Sequence, residues 1–308
     1  MAIRLSSLIT ALPGCLAQGI IWGIMALGLY ITYRILEFSD LTVDGSFAAG
    51  GTVTVMMILS GRPVWLAVAA AMAMGILCGL VTGLLHTRFG IAPILAGILT
   101  QIGLYSVNLH ILGSKANQAV SVDKYSLLLS LRHPGTAICV SGLFAAALIG
   151  FFYWFFGTEM GSSIRATGCN PHMSKAQGID INRTKVMALA ISNGVVALAG
   201  GLMAQYQGFA DVSMGRGAIV IGLAAIIIGE VVSRAFSRDS LNFAVRLLFV
   251  VVGGVAYYLI MGVALWLRLP TNDLKLFTAL IVAAALAIPN LRKGHSKKSA
   301  GKGAQKDA

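Results

Sequence analysis

Residues 158–185 read TEMGSSIRATGCNPHMSKAQGIDINRTK and form the longest polar run between two strongly apolar segments of this sequence. Within the run, Asn170 is a favourable helix N-cap, Pro171 suits the first helical position and Gly178 suits the position just past the end. These start and stop residues predict a helix of about seven residues, which is two turns or ~10 Å long. A free helix that short is unstable in water, so it must pack on the rest of the chain or on a partner.

The composition around this run is that of a membrane protein. Of 308 residues, 57% are hydrophobic and 11% are charged, whereas soluble domains carry about 25% charged residues. The net charge of +12 does not indicate a nucleic-acid partner, because six basic residues lie between Arg292 and Lys306, directly after the last apolar segment. The positive-inside rule explains such a tail. We therefore expect membrane lipid as the environment and no nucleic acid as a partner.

The apolar segments predict an all-α fold, a polytopic transmembrane helical bundle. A span needs roughly 20 mostly apolar residues, and this rule gives about nine spans, within a range of eight to ten. The candidates are 14–34, 41–60, 63–86, 91–112, 135–157, 185–207, 218–236, 243–267 and 273–291. The weakest are 41–60 and 218–236, and either could be a broken or re-entrant helix. Residues 1–291 would form the transmembrane domain, and the basic tail 292–308 is expected to be disordered.

The basic residues orient this bundle. With nine spans, one side of the membrane carries 15 Lys and Arg residues and the other carries 8. The richer side should be cytoplasmic. The N-terminus is then predicted outside and the C-terminus inside, and the polar loop 158–185 faces the cytoplasm.

The sequence contains no pattern that indicates catalysis. The five histidines and four cysteines form no metal-ligand spacing, and GxxxxGK[ST], the phosphate-binding loop, is absent. We therefore predict no catalytic residue, no metal and no enzyme activity in this chain.

Polar side chains within or beside the apolar segments are candidates for a translocation pathway. The acidic junction between the first two spans contains Asp40, Asp44 and Ser46, which either cap a helix start or line a broken segment facing water. Glu230 either faces a cavity or pairs with Arg234 four residues later. Both pairs of alternatives remain open. The full set of pathway candidates is Asp40, Asp44, Ser46, Asn193, Gln205 and Glu230.

Two charged residues follow the sixth span, in the connection that reads GFADVSMGRG. Asp211 and Arg216 could contact an extracellular partner, or they could be solvated loop residues. The sequence favours a solvated loop at least as much as a partner contact.

Three stretches resemble one protein family. They read LGLYITYRILEFSDLTVDGSF (27–47), RATGCNPHMSKAQGIDINRTK (165–185) and ALAISNGVVALAGGLMAQYQGFADVSMGRGAIVIGLAAIIIGE (188–230). They are similar to the permease subunits of ABC importers in the branched-chain amino acid and ribose permease superfamily. The resemblance covers residues 14–291 and is strongest to the branch paired with tryptophan/tyrosine-type binding proteins.

This resemblance implies the partners and the localisation. A second permease copy would complete a homodimer in the bacterial cytoplasmic membrane, and an extracytoplasmic binding protein would deliver substrate, with Asp211 and Arg216 as candidate contacts. A separate cytoplasmic ATPase would bind ATP and magnesium and dock on the short helix 171–177. The residues predicted to couple this chain to the ATPase are Arg165, Gly168, Asn170, Pro171, Met173, Ala176, Gly178 and Ile179.

Two functions therefore compete. The first is the permease subunit of an ATP-driven importer, forming the pathway for a small solute, with aromatic or other amino acids suggested by the resemblance alone. The second is a self-contained, ion-coupled secondary transporter, which usually carries an ionisable group at mid-membrane. The pathway residues themselves do not select a substrate.

Overall fold

The computed structural model describes residues 2–122, 124–236 and 242–266, together with 276–277, 279–280 and 283. Within these ranges the chain forms ten α-helices, a π-helical segment at Ile31–Ile35 and two short strands. The helices are α1 (Ala2–Tyr30), α2 (Val43–Leu59), α3 (Val64–Thr87), α4 (Pro93–Ile111), α5 (Pro134–Phe155), α6 (Glu159–Cys169), α7 (Pro171–Ala176), α8 (Ile181–Gln207), α9 (Ala218–Phe236) and α10 (Phe243–Trp266). The strands are β1 (Asn117–Ala119) and β2 (Phe209–Asp211).

Six helices in the described chain are long and apolar enough to cross a membrane. They are Leu12–Ile35, Val64–Thr87, Pro93–Ile111, Pro134–Phe155, Ile181–Gln207 and Phe243–Trp266. The prediction of a helical membrane bundle is confirmed, whereas the count of nine spans is not, and the orientation stays a prediction. Helix α2 is apolar but has only 17 residues, or ~25 Å. The predicted span 273–291 is described at only a few positions, and the tail 292–308 lies outside the described residues.

Helix α8 lies at the centre of the bundle, and small residues let its neighbours approach it closely. A Cβ atom on Gly50 of α2 would lie 1.9 Å from the carbonyl oxygen of Ala197. One on Gly79 of α3 would lie 2.2 Å from the carbonyl oxygen of Leu189. Side chains larger than glycine do not fit at either crossing, which is the close backbone packing that small-residue motifs give in membranes.

The strands correct the expectation of a purely helical chain. β1 and β2 pair antiparallel, with Asn117 opposite Asp211 and Ala119 opposite Phe209. Three residues are too few to show an alternating pattern in the sequence. The pair joins two long connections at the end of α8 opposite α7, so it fixes the chain segment that leads into α9.

Candidate translocation pathway and coupling surface

The chain is not helical between the π-helical segment and α2, yet every second residue from Leu36 to Thr42 is buried there. Leu36 is 6% exposed, Asp40 is 3% exposed and Thr42 is fully buried. Irregular backbone is tolerated at membrane depth only inside protein or against water, because lipid offers no hydrogen bonds. Residues 36–42 are thus a break in the helical structure that the rest of the bundle must stabilise.

A hydrogen bond to α8 places this break near the middle of the membrane. The Ser46 hydroxyl, in the first turns of α2, donates to Asn193 Oδ1 at 2.6 Å. Asn193 lies near the centre of the 27-residue helix α8, ~20 Å from either end. Helix α2 therefore begins halfway across the longest span, as the interpretation of 41–60 as a broken segment requires.

A buried polar network holds the irregular segment. Asn193 Nδ2 donates to Asp40 Oδ2 at 2.7 Å, and the Thr42 backbone N–H donates to Asp40 Oδ1 at 2.9 Å. The Thr42 hydroxyl meets that of Thr82 at 2.7 Å, which in turn donates to Thr100 at 2.9 Å. Four separate elements are joined in this way, and a buried network of satisfied groups favours one arrangement of the chain.

Asp44 caps a helix that is far from it in the sequence. Its Oδ2 accepts from the Gly217 backbone N–H at 3.0 Å, and its Oδ1 accepts from that of Ile219, also at 3.0 Å. These N–H groups belong to the start of α9, where the helix dipole favours a negative charge. Helix α9 therefore also begins at the depth of Asp44. Both alternatives for the acidic junction therefore describe part of the geometry. The junction interrupts the helical structure before α2, and its residue Asp44 caps α9.

A cavity of about 390 Å³ opens beside this junction. Its lining residues are Asp44, Gly45, Gln101, Ile102, Tyr105, Ser106, Asn108, Val212 and Arg216. The structure thus brings Asp44, a pathway candidate, and Arg216, a binding-protein candidate, to one site. The α4 wall was not predicted. A signal was present, because Gln101, Tyr105 and Asn108 recur at the i, i+4, i+7 spacing of one helix face.

Glu230 lies away from this cavity, toward the end of the bundle that carries α7. Its carboxylate pairs with Arg34 at 2.9 Å and with Arg234 at 3.6 Å. The i, i+4 partner was considered from the sequence, whereas Arg34 was missed because it lies on the first span. With 31% of its side chain exposed, Glu230 is an ion-paired residue at the surface of the described chain.

Gln205 and Asp211 are both separate from the cavity. Gln205 is 1% exposed, and its Oε1 accepts from the Leu128 backbone N–H at 3.1 Å. Its Nε2 is buried without a hydrogen-bond partner in the described chain. Asp211 lies in β2, and its Oδ1 accepts from both the backbone N–H and the hydroxyl of Ser213. Asp211 and Arg216 therefore do not act as a pair.

The short helix predicted inside the polar run is confirmed. Asn170 Oδ1 accepts from the Met173 backbone N–H at 3.0 Å, and Pro171 is the first helical residue. Gly178 follows the helix with φ of 82°, a conformation that favours glycine. Met173 is 62% exposed and Ala176 is also exposed. Helix α7 thus presents an uncovered apolar surface.

The segment before α7 is packed against the bundle. Arg165 Nη2 donates to the carbonyl of Phe156, and its guanidinium lies over the Phe243 ring at 5.9 Å. A Cβ atom on Gly168 would clash with the carbonyl oxygen of Ile35. Of the eight predicted coupling residues, these two contact the membrane helices, while Ile179 is half-buried and donates its backbone N–H to Ser174. Helix α7 is consequently tied through Gly168 to the π-helical end of the first span.

Comparisons with known proteins agree with this architecture. The chain is 36% identical over 285 residues to a tyrosine transport system permease protein of Clostridioides difficile, covering 92% of this chain and 93% of that protein. It is 26% identical to the ribose import permease RbsC of Escherichia coli, over 60% of this chain and 58% of the relative. A chain in the structure of PsaBC from Streptococcus pneumoniae in complex with Fab has the same fold, with a TM-score of 0.52, 12% identity and coverage of 91% and 95%.

The family match extends over nearly the whole described bundle. Residues 12–285 match the family described as branched-chain amino acid transport system / permease component. This range includes the interrupted segments, the cavity and α7. The chain therefore belongs to the branched-chain amino acid transport permease family and is an integral membrane protein.

Proposed function

We propose that this chain is the membrane permease subunit of an ATP-driven importer of amino acids, with aromatic amino acids as its substrate class. Two copies form the translocation pathway in the bacterial cytoplasmic membrane. A separate ATPase on the cytoplasmic side binds ATP and magnesium, and an extracytoplasmic binding protein delivers the substrate. The chain itself hydrolyses nothing.

The observation that carries the proposal is the exposed helix α7, which follows a helix, α6, that packs on the bundle through Ile164 and Gly168. The caps of α7 are complete, so it is folded, yet Met173 and Ala176 are uncovered. An apolar helix face of this kind suits a groove on a partner protein. Because Gly168 packs on Ile35, a displacement of α7 would reach the first span directly. This is the arrangement that coupling to an external energy source requires.

The aromatic substrate class rests on the relative from Clostridioides difficile, which is described as a tyrosine transport permease. Its similarity extends across the cavity and both interrupted segments, since 92% of the chain is covered. The cavity also contains an aromatic side chain, Tyr105, beside polar groups. Both observations favour an amino acid with a ring over a small neutral solute.

The geometry supports an ion-coupled secondary transporter less well. Glu230, the acidic residue of a late span, is paired with two arginines, so it is not a free proton carrier. Asp40 is buried, but both its oxygens accept hydrogen bonds from Thr42 and Asn193. In this arrangement Asp40 holds the chain break together.

The test is reconstitution of the permease with its ATPase and binding protein in proteoliposomes. Tyrosine uptake should require ATP and both partners. Met173→Asp and Ala176→Asp should lower uptake by roughly tenfold or more, because each puts a charge into a desolvated contact, while membrane insertion and thermal stability are unchanged. Leu131→Asp is the matched control, since Leu131 is an equally exposed apolar residue, 61% exposed, in the connection between β1 and α5. Uptake by the purified permease alone from an ion gradient would refute the proposal.

A further inference from the structure

Arg216 directly precedes the capped start of α9 and lines the cavity, and its guanidinium has no partner in the described part of the chain. Arg216 is exposed, and its backbone N–H donates to Ser213. Its side chain forms no ion pair or hydrogen bond with the residues that the structure describes. The next residue, Gly217, is bonded to Asp44, which places Arg216 near the middle of the bundle. A cation at that depth must face water or a ligand, because lipid does not solvate it.

The Asp44 carboxylate lines the same cavity but is not paired with Arg216. Its two oxygens each accept one backbone N–H at the start of α9. A carboxylate has about four acceptor positions, so roughly half remain available toward the cavity. The cavity is therefore lined by one acid and one base that form no ion pair with each other.

The α4 side of the cavity adds an aromatic and polar wall. Tyr105 is 47% exposed, and Gln101 lies one turn before it on the same helix face. The volume of about 390 Å³ lies within the range of small-molecule sites, roughly 300–1,000 Å³. A ring of the ligand can therefore lie against Tyr105 while its polar end reaches the two charges.

We propose that this cavity binds the zwitterionic head group of a free amino acid, with its carboxylate on Arg216, its ammonium on Asp44 and its side chain beside Tyr105. The planar guanidinium suits a carboxylate because it can donate two parallel hydrogen bonds. A neutral sugar would leave both charges unpaired and is selected against for that reason. This inference rests on the proposed function and adds to it the groups that choose the substrate class.

The binding test uses a cysteine in the cavity of the full complex, held in nanodiscs so that both faces are accessible. Ile102 lines the cavity and is 64% exposed, so Ile102→Cys should react with a charged, membrane-impermeant thiol reagent. The exposed native residues Cys139 and Cys169 are changed to serine. Tyrosine should slow the labelling, whereas tyramine, which lacks the carboxylate, 3-(4-hydroxyphenyl)propionate, which lacks the ammonium, and ribose should not.

Substitutions then assign the protection to Arg216. In the Ile102→Cys background, Arg216→Gln should raise the tyrosine concentration for half-protection by roughly tenfold or more, since a charge-assisted hydrogen bond is lost. Arg216→Lys should retain part of the protection. Arg62→Gln is the matched control, because Arg62 is an exposed arginine in the connection between α2 and α3. The comparison of tyrosine with tyramine uses unsubstituted Arg216, so the proposal stays testable if Arg216→Gln does not fold.

The site is refuted if Ile102→Cys is not labelled, if ribose, tyramine or 3-(4-hydroxyphenyl)propionate protects as well as tyrosine, or if Arg216→Gln is protected like the parent. Uptake in proteoliposomes separates this failure from that of the proposed function. ATP-driven tyrosine uptake that is unaffected by Arg216→Gln would overturn the site and leave the importer standing. Protection that depends on Arg216, without any ATP-driven uptake, would overturn the importer.

Discussion

The two polar regions of this molecule are stabilised in opposite ways. In the junction formed by residues 36–46 and 212–219, several side chains bond to residues that are 40 to 175 positions away in the chain, as Thr42 does to Thr82 and Asp44 to Ile219. Around α7 the partners are neighbours, as Asn170 is of Met173, three positions later. The junction therefore exists only when the whole bundle is assembled, whereas α7 is shaped by its own residues.

Because of this difference, substitutions in the two regions should affect different properties: the stability of the fold in one and the coupling to a partner in the other. A substitution in the junction leaves buried groups unpaired, so it should destabilise the bundle. A substitution on α7 faces solvent in the single chain and should act only when a partner docks. The substitutions below test this contrast, beginning with the largest expected effect.

Asn193→Leu should have the largest effect because it removes the α8 side chain to which the junction bonds. Asn193 donates to Asp40 and accepts from Ser46, so both would be left buried without these bonds. We expect the free energy of unfolding to fall by about 3 kcal/mol or more, the magnitude for hydrogen bonds to a buried charged group. Unfolding in mixed micelles of a mild and a denaturing detergent measures this change.

The control for this experiment lies on the same helix. Asn182→Leu makes the identical change at an exposed position of α8, where the side chain bonds to no residue in the described ranges. It should alter stability by less than about 0.5 kcal/mol. Equal losses in the two variants would show that the junction is not a special region.

Asp44→Ala should have the next largest effect, because it removes the cap of α9. The Gly217 and Ile219 N–H groups would lose their acceptor, and N-cap removal costs about 1–2 kcal/mol. Asp44→Asn should recover most of this stability, since its amide oxygen can still accept one of the two bonds. Thermal unfolding of the three proteins tests the order, and an Asn variant as unstable as the Ala variant would contradict the capping role.

The contrast also explains what the sequence could predict. The cap, the first-turn proline and the terminal glycine of α7 lie within nine residues, 170–178, so local chemistry was sufficient. The apolar spans followed from length and hydropathy. The capping of α9 by Asp44 could not be predicted, because no local sequence pattern links Asp44 to Gly217 or Ile219, more than 170 positions later. The cavity could be predicted from the sequence only in part. Helical spacing indicates the polar face of α4, but the position of that face opposite Arg216 depends on the tertiary fold.

Asn170→Ala should have a smaller effect on the bundle than either junction variant. It removes the local cap of α7, worth about 1 kcal/mol to that helix, while no membrane helix loses a contact. The unfolding free energy of the whole chain should be nearly unchanged, and stimulation of the reconstituted ATPase by the loaded binding protein should fall. Asn182→Ala, a second exposed asparagine 12 positions later, is the control. A large loss of global stability would mean that α7 is part of the bundle.

Glu230→Gln should also have only a small effect on stability, although it breaks two ion pairs. Glu230 meets Arg34 and Arg234 where all three side chains are 31% to 62% exposed, and exposed pairs contribute about 0–1 kcal/mol that salt weakens further. A double-mutant cycle with Arg34→Gln isolates the pair between the first span and α9. We expect a coupling energy below about 1 kcal/mol, together with a larger fractional loss of transport, because Arg34 adjoins Ile35, the residue on which Gly168 packs. Normal uptake by Glu230→Gln would show that the ion pair between Glu230 and Arg34 has no role in transport. A coupling energy well above that range would instead place this ion pair with the junction, as a part of the chain that the folded bundle requires.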